Sequence, residues 1–355
     1  MQPHAPPLPA AELEAVTRVD VLAVRTAGTG NGAALLPRLG VFRVLVCRPT
    51  HSLGNTLLLT PLLREIEAIY PGAEIDIVSR TPIALELFGR FASVRRIFLL
   101  PSRPVQRLPR LINTLLRIRE TRYDLVIDPS PRSRSGRALL ALARGRYKLG
   151  FRSRHGGGLT HPVSLPSLVR HSGQVPVALL RAAVAASSGS FPLLDIGLSP
   201  AERDLGRIML SRLLDSCGSQ AGHGVIGVFA NATGDKLLPQ AWWLAFLETL
   251  TARFPQHRVV EIVPAFGRSM LGSRYPTYYS SDVRRLASLL SALSLFVSAD
   301  CGIMHLACAA GVPVTGVFSA TKAEEWGPYG PRDRALDARD MPAAQLASLI
   351  EMPMC

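Results

Sequence analysis

The feature that most constrains this chain is the stretch 293–329, LSLFVSADCGIMHLACAAGVPVTGVFSATKAEEWGPY. Residues 295–297 form a short apolar run of strand character, and Asp300, Cys301 and Gly302 follow as a small-residue loop. Residues 303–310 have helical spacing, ended by Gly311 and Pro313, and 312–318 read as a second strand. Strand, tight turn, helix and strand make a βαβ unit with parallel strands. In an open α/β sheet, ligands sit beyond the carboxyl ends of the strands. The loop 298–302 falls at such an end and leads into a helix N-terminus, where free N–H groups and the dipole favour an anion. Asp300 is placed to cap that helix, Gly302 admits close approach to the backbone, and His305 lies one turn in, able to face the same crevice. The expected site holds a phosphate or diphosphate. The same residues also suit a plain helix start, with Asp300 as cap and His305 packed.

The alternation repeats along the chain. Residues 42–47 read as a strand, 48–55 (RPTHSLGN) as a loop, 56–70 as a helix stopped by Pro71 and Gly72, and 74–78 as the next strand. Strands at 94–100 and 125–128 flank a basic amphipathic helix at 104–122, and 147–151 adds a strand. After a Gly-, Pro- and Ser-rich passage at 155–190, a helix is expected over 174–186, and the domain boundary over 187–200. Beyond it come a helix at 200–215 capped by Ser199, a strand at 225–230 and the loop 231–236, which contains Thr233 and Lys236. A helix at 240–254, a strand at 258–263, a helix at 282–293, the opening stretch and a terminal helix to about residue 350 complete a second α/β unit. Strands alternating with helices predict doubly wound, mostly parallel sheets. The expected division is an extension over 1–40 (poorly ordered, with an amphipathic segment at 11–24 and the GTGNG run at 28–32), a first domain over 41–195 and a second over 196–355.

Composition narrows the partners. Lys plus Arg number 40 and Asp plus Glu 26, so the net charge is 40 − 26 = +14. That balance suits an anionic partner: nucleic acid, phosphorylated substrates or an acidic membrane surface. Arginines concentrate at 90–119 and 132–154, and aromatics make up only 6% of the chain, not interleaved with them, which disfavours a base-stacking groove. Nucleic acid therefore ranks last. None of the five cysteines forms a CxxC pair, so neither zinc nor a disulfide framework is expected. No apolar run reaches membrane-span length and no leader pattern opens the chain, giving a cytoplasmic expectation. Lys236 follows a strand, as Asp300 does, which places both at one sheet edge and suggests a cleft suited to group transfer.

Three segments together resemble glycosyltransferase family 9, the lipopolysaccharide heptosyltransferases. They are 43–78 (RVLVCRPTHSLGNTLLLTPLLREIEAIYPGAEIDIV), 123–151 beginning YDLVIDPS, and 296–329 with its Asp-x-Gly-x-x-His-Leu-Ala pattern and terminal Trp-Gly-Pro-Tyr. The resemblance spans roughly 43–330. It implies a GT-B fold, two facing Rossmann-like doubly wound domains with a central cleft. It implies an inverting transfer of a sugar, expected to be heptose, from a nucleotide-diphosphate donor, expected to be ADP-heptose, to a lipopolysaccharide core or related glycolipid at the inner face of the bacterial inner membrane. The nucleotide sugar is a co-substrate, with no cofactor or metal expected. On matching positions Thr233, Lys236, Asp300, Cys301, Gly302 and His305 would hold the donor, and Lys236 would neutralise the leaving diphosphate. Arg48, Gly54, Arg132 and Arg134 are the acceptor-side candidates. One departure matters. The family's first loop usually carries Asp after the Gly, as general base, and this chain has Asn55, which cannot accept a proton at neutral pH. His51, in the same loop, and Asp128, at the end of a neighbouring strand, are the substitute candidates. Alternatively Asn55 only orients the acceptor, or the chain is a catalytically silent binding homologue. Cys301 also stands where Ser or Thr is commoner.

Overall fold

A computed structural model describes residues 35–153, 158–186, 189–216, 224–264 and 267–353. The amphipathic segment at 11–24 and the GTGNG run lie outside the described residues, as do Cys217 and Cys355.

The elements of the first half are β1 (Arg43–Cys47), α1 (Leu53–Leu57), α2 (Thr60–Ile69), β2 (Glu74–Ser79), α3 (Ile83–Phe88), β3 (Val94–Leu99), α4 (Leu108–Glu120), β4 (Arg122–Asp128), α5 (Arg134–Leu142), β5 (Arg144–Phe151), β6 (His161–Val163) and α6 (Val175–Val184). The second half follows with α7 (Pro200–Ser216), β7 (Gly224–Phe229), α8 (Gln240–Arg253), β8 (His257–Ile262), β9 (Thr277–Tyr278), α9 (Val283–Leu290), β10 (Leu295–Ala299), α10 (Gly302–Ala310), β11 (Val314–Phe318), α11 (Ala323–Trp326), β12 (Arg334–Asp337) and α12 (Ala343–Ser348).

Each half carries a six-stranded sheet, in the orders β3-β2-β1-β4-β5-β6 and β12-β11-β10-β7-β8-β9. Every strand pair is parallel. Numbered within its own half, the second sheet repeats the first: both are doubly wound in the Rossmann order, with the reversal between the first and fourth strands. Those reversal points are β1/β4 and β7/β10. Central strands are buried on both faces, which is why they read as continuous apolar runs rather than alternating ones.

Several expected boundaries move. The first helix begins at Leu53 rather than 56, because Ser52 caps it by accepting from Asn55 N, and a break at Leu58–Leu59 separates it from α2. The basic helix ends at Glu120, so β4 starts at Arg122, and residues 105–107 before it form a 3₁₀ turn. β5 begins at Arg144, three residues earlier than expected. The helices α3 and α5 and the edge strands β6, β9 and β12 were not anticipated, being short and low in pattern.

The two halves share one hydrophobic cluster, in which Leu57, Leu62 and Ile127 of the first join Leu286, Met304 and Leu306 of the second. The crossing segment fastens to both. Asp195 N donates to Thr60 Oγ1 at 3.3 Å, Ile196 N donates to Ala309 O at 3.2 Å, and Arg284 donates to the carbonyls of Ile196 and Gly197. The Trp-Gly-Pro-Tyr segment lands on the same joint. His171 Nε2 lies 2.7 Å from Gly327 O, the His171 ring packs edge-on to Tyr329, and Tyr329 OH donates to Pro192 O.

Candidate functional site

The reversal points of the two sheets fix where ligands belong. Every residue singled out from the sequence ends or follows one of those four strands. Arg48, His51, Gly54 and Asn55 follow β1; Asp128 ends β4, and Arg132 and Arg134 follow it. Thr233 and Lys236 follow β7, and Asp300, Cys301, Gly302 and His305 follow β10. Topology thus gathers thirteen sequence-distant positions at the switch points of the two sheets.

In the second half, the loop after β7 tightens into a 3₁₀ turn at Gly234–Lys236. That turn carries the Lys236 ammonium to 3.3 Å from Asp300 Oδ2. Thr321 Oγ1 donates to the same carboxylate oxygen, and Ser319 Oγ donates to Lys236 O at 3.2 Å. Asp300 is therefore not the helix cap it was expected to be. Cys301 occupies the cap position, and its side chain makes no capping hydrogen bond among the described residues. The Cys301 thiol lies against the backbone N–H groups of Ile303 and Met304 at the start of α10, and the Lys236–Asp300 pair stands at the loop that leads into it. Thr233 is exposed at the entrance of this loop.

His305 departs from expectation. It is buried rather than lining an open crevice, and its Nδ1 has no hydrogen-bond partner among the described residues. Burial lowers its pKa to about 3, with smaller contributions from the charges of His171 and Lys236, so the ring is neutral. Its neighbour is Gly54 of the other half: a Cβ on Gly54 would lie 3.0 Å from His305 Cδ2, and one on Gly302 would lie 3.0 Å from Gly54 N. Small residues at both positions let α1 and α10 meet start to start.

In the first half, Arg48 bridges the two switch-point loops. Its Nη2 donates to Asn55 Oδ1 at 3.3 Å and its Nη1 to Ser130 Oγ. Burial pulls the Arg48 guanidinium below its ordinary value, while the charge of Asp128 opposes this. Asp128 is fully buried, accepting from Arg137 Nε at 3.1 Å and Ser130 N at 3.3 Å. Burial pushes its carboxyl up, and Arg137 opposes the rise. Both its oxygens are engaged and enclosed, which makes it a bracket for the loop rather than an accessible base. His51 is exposed, with Nε2 3.5 Å from Arg80 Nη1. Both line a cavity of about 310 Å³ with Arg107 and Arg110. Arg132 and Arg134 are exposed on either side of Ser133, the cap of α5.

Sequence reasoning missed Thr321, Ser130, Arg137 and Arg80. Thr321 and Arg80 stand just after β11 and β2, so the strand-end rule applied to every strand would have found them. Arg137, inside α5, had no such signal.

Residues 281–349, which contain α9, the Asp300 loop, α10 and the Trp-Gly-Pro-Tyr segment, match the sequence model of glycosyltransferase family 9 (heptosyltransferase). No curated protein matches the chain. Among solved structures it is similar to a family 9 glycosyl transferase from Veillonella parvula (17% identity, TM-score 0.69, covering 86% of this chain and 88% of that one). It is also similar to E. coli heptosyltransferase WaaC bound to ADP-2-deoxy-2-fluoro heptose (20%, TM-score 0.65, 86% and 97%). A third is E. coli ADP-heptose lps heptosyltransferase II (15%, TM-score 0.63, 86% and 96%). At these identities the likeness establishes the fold, GT-B, over nearly the whole of the described chain. Among the described residues no helix is long and apolar enough to cross a membrane.

Proposed function

We propose that this protein is a family 9 glycosyltransferase that transfers a sugar from a nucleotide-diphosphate donor held by its second half to an acceptor held by its first. The observation that carries the reading is the Lys236–Asp300 pair, 3.3 Å apart, in the loops that lead to the start of α10. Departure of a nucleoside diphosphate places negative charge at that position. A lysine positioned by Asp300, which Thr321 in turn holds by a hydrogen bond, together with the helix N-terminus, supplies positive potential where that charge develops. In this reading those groups take the part that a divalent ion plays elsewhere, so transfer proceeds without one.

WaaC binds an ADP-heptose analogue, and that likeness makes ADP-heptose the donor of first choice here. The acceptor in this reading is a glycolipid of the lipopolysaccharide-core type, met by Arg48, Arg132 and Arg134. Attack by the acceptor hydroxyl on the face opposite the diphosphate gives inversion. His51 is the base assigned, since it is exposed in the first loop whereas Asp128 is enclosed by Arg137 and Ser130. Asn55, accepting from Arg48, orients rather than deprotonates.

Calorimetric titration with ADP, UDP, GDP and ADP-heptose, without metal, tests the reading. The expected result is selective binding of ADP and ADP-heptose, lost in Asp300→Ala. Binding of another nucleotide changes the donor. Absence of binding to all four rejects donor-dependent transfer and leaves a silent homologue.

A further inference from the structure

We propose that α4 and the turn before it form the surface on which this protein rests against an anionic lipid bilayer. The helix is apolar on two adjacent faces, where a helix packed on one core needs a single stripe. One face, Leu111, Leu115 and Ile118, packs into the cluster formed by Phe98, Tyr123 and Val126. The other is uncovered: Leu108, Ile112 and Leu116, four residues apart and therefore aligned along the helix, are 51%, 48% and 50% exposed. Val105, in the preceding 3₁₀ turn, is 88% exposed.

Charge identifies what covers this face. Residues 101–120 contain Arg103, Arg107, Arg110, Arg117 and Arg119 against a single acid, Glu120, at the end of α4. Aliphatic side chains bordered by arginines are the composition of a helix lying in the headgroup plane of an acidic membrane, its apolar stripe among the upper acyl carbons. The stripe holds no aromatic residue, the side chains on which protein interfaces concentrate their affinity. A second copy of the chain would set the same arginines against one another. Arg107 and Arg110 also line the cavity that His51 and Arg80 share, so the membrane-facing surface continues into the loop after β1. A protein seated this way presents its first-half loops to groups projecting from the lipid surface.

The test is co-sedimentation of the full chain with vesicles of phosphatidylcholine alone and of phosphatidylcholine with phosphatidylglycerol. Binding is expected only with phosphatidylglycerol, weakening as salt is raised. The triple variant Leu108→Ser, Ile112→Ser, Leu116→Ser should bind those vesicles at least tenfold more weakly while keeping the wild-type circular dichroism, since all three side chains are half exposed. The proposal is overturned if the variant binds phosphatidylglycerol vesicles as tightly as wild type, or if wild type binds neither vesicle. It is equally overturned if wild type dimerises without lipid and the variant does not, which would make a second copy the occupant. Donor titration on the same preparations keeps this outcome separate from that of the transferase reading.

Discussion

Gly54 stands where any side chain would press on the ring of His305. The ring belongs to α10, is enclosed, and has little room to retreat, so the methyl group of Gly54→Ala must move one half of the molecule against the other. A cost of about 1–3 kcal/mol follows for overpacking at such a contact, read as a lower urea midpoint; an unchanged midpoint would show that the ring shifts freely. His305 itself gives a pH signature. Its folded-state pKa is about 3, below its ordinary 6.5, chiefly through burial. Between those values the unfolded chain takes up a proton that the folded chain refuses, so stability falls as pH falls from about 6.5 towards 3. The loss attributable to this residue is on the order of 2 kcal/mol at pH 5. His171, also lowered by burial, acts in the same direction. Urea unfolding at pH 7 and pH 5 should show the loss, and His305→Gln should remove a large part of it.

The candidate site residues lie in loops after strands, and those loops are held by contacts that no local pattern announces. Lys236 reaches Asp300 because a 3₁₀ turn after β7 lies against the start of the loop after β10, two strands that neighbour each other only through the fold. Lys236→Ala should lower kcat by about a hundredfold or more, as loss of a preorganised charge partner does, while changing donor affinity much less; equal losses in both would remove it from the transition state. The start of α7 behaves as a capping box: Glu202 N donates to Ser199 Oγ, and Ser199 N donates back to Glu202 Oε2. Arg284 completes it with two bonds to Glu202, at 2.6 and 2.9 Å, and holds the Glu202 carboxyl down to about 2. Glu202→Ala leaves the buried Arg284 without a counter-charge, with only the Ile196 and Gly197 carbonyls as acceptors, and should cost about 3–5 kcal/mol, measured by urea denaturation. What could be read from the sequence follows the same division. Ser199 was legible as a cap, Gly311 as a stop and the candidate residues as loop positions at strand ends, because each has a local signature. That Asp300 would hold Lys236 rather than cap α10, or that His305 would turn against Gly54, depends on residues 64 and 251 positions away. Short α3 and α5 and the edge strands carry too few apolar repeats to show a period.

At the scale of the molecule, two sheets of identical strand order face one another, yet the chain does not behave as two independent cores. Leu57, Leu62 and Ile127 share one cluster with Leu286, Met304 and Leu306, and the crossing segment around Ile196 bonds to both halves. Further hydrogen bonds span the joint, from Val283 N to Glu86 Oε2 and from Ser172 N to Glu325 O. Separating the halves exposes apolar surface on each, so neither gains by unfolding alone. The chain should therefore unfold in one cooperative step despite its length. Its tryptophans provide the check, since Trp242, Trp243 and Trp326 all lie in the second half. Their fluorescence follows that half only, whereas far-ultraviolet circular dichroism follows both. Coincident urea midpoints from the two probes are expected. A dichroism transition that begins well before the fluorescence change would mean that the first half opens by itself, and that the continuous cluster contributes less than the contacts within each sheet.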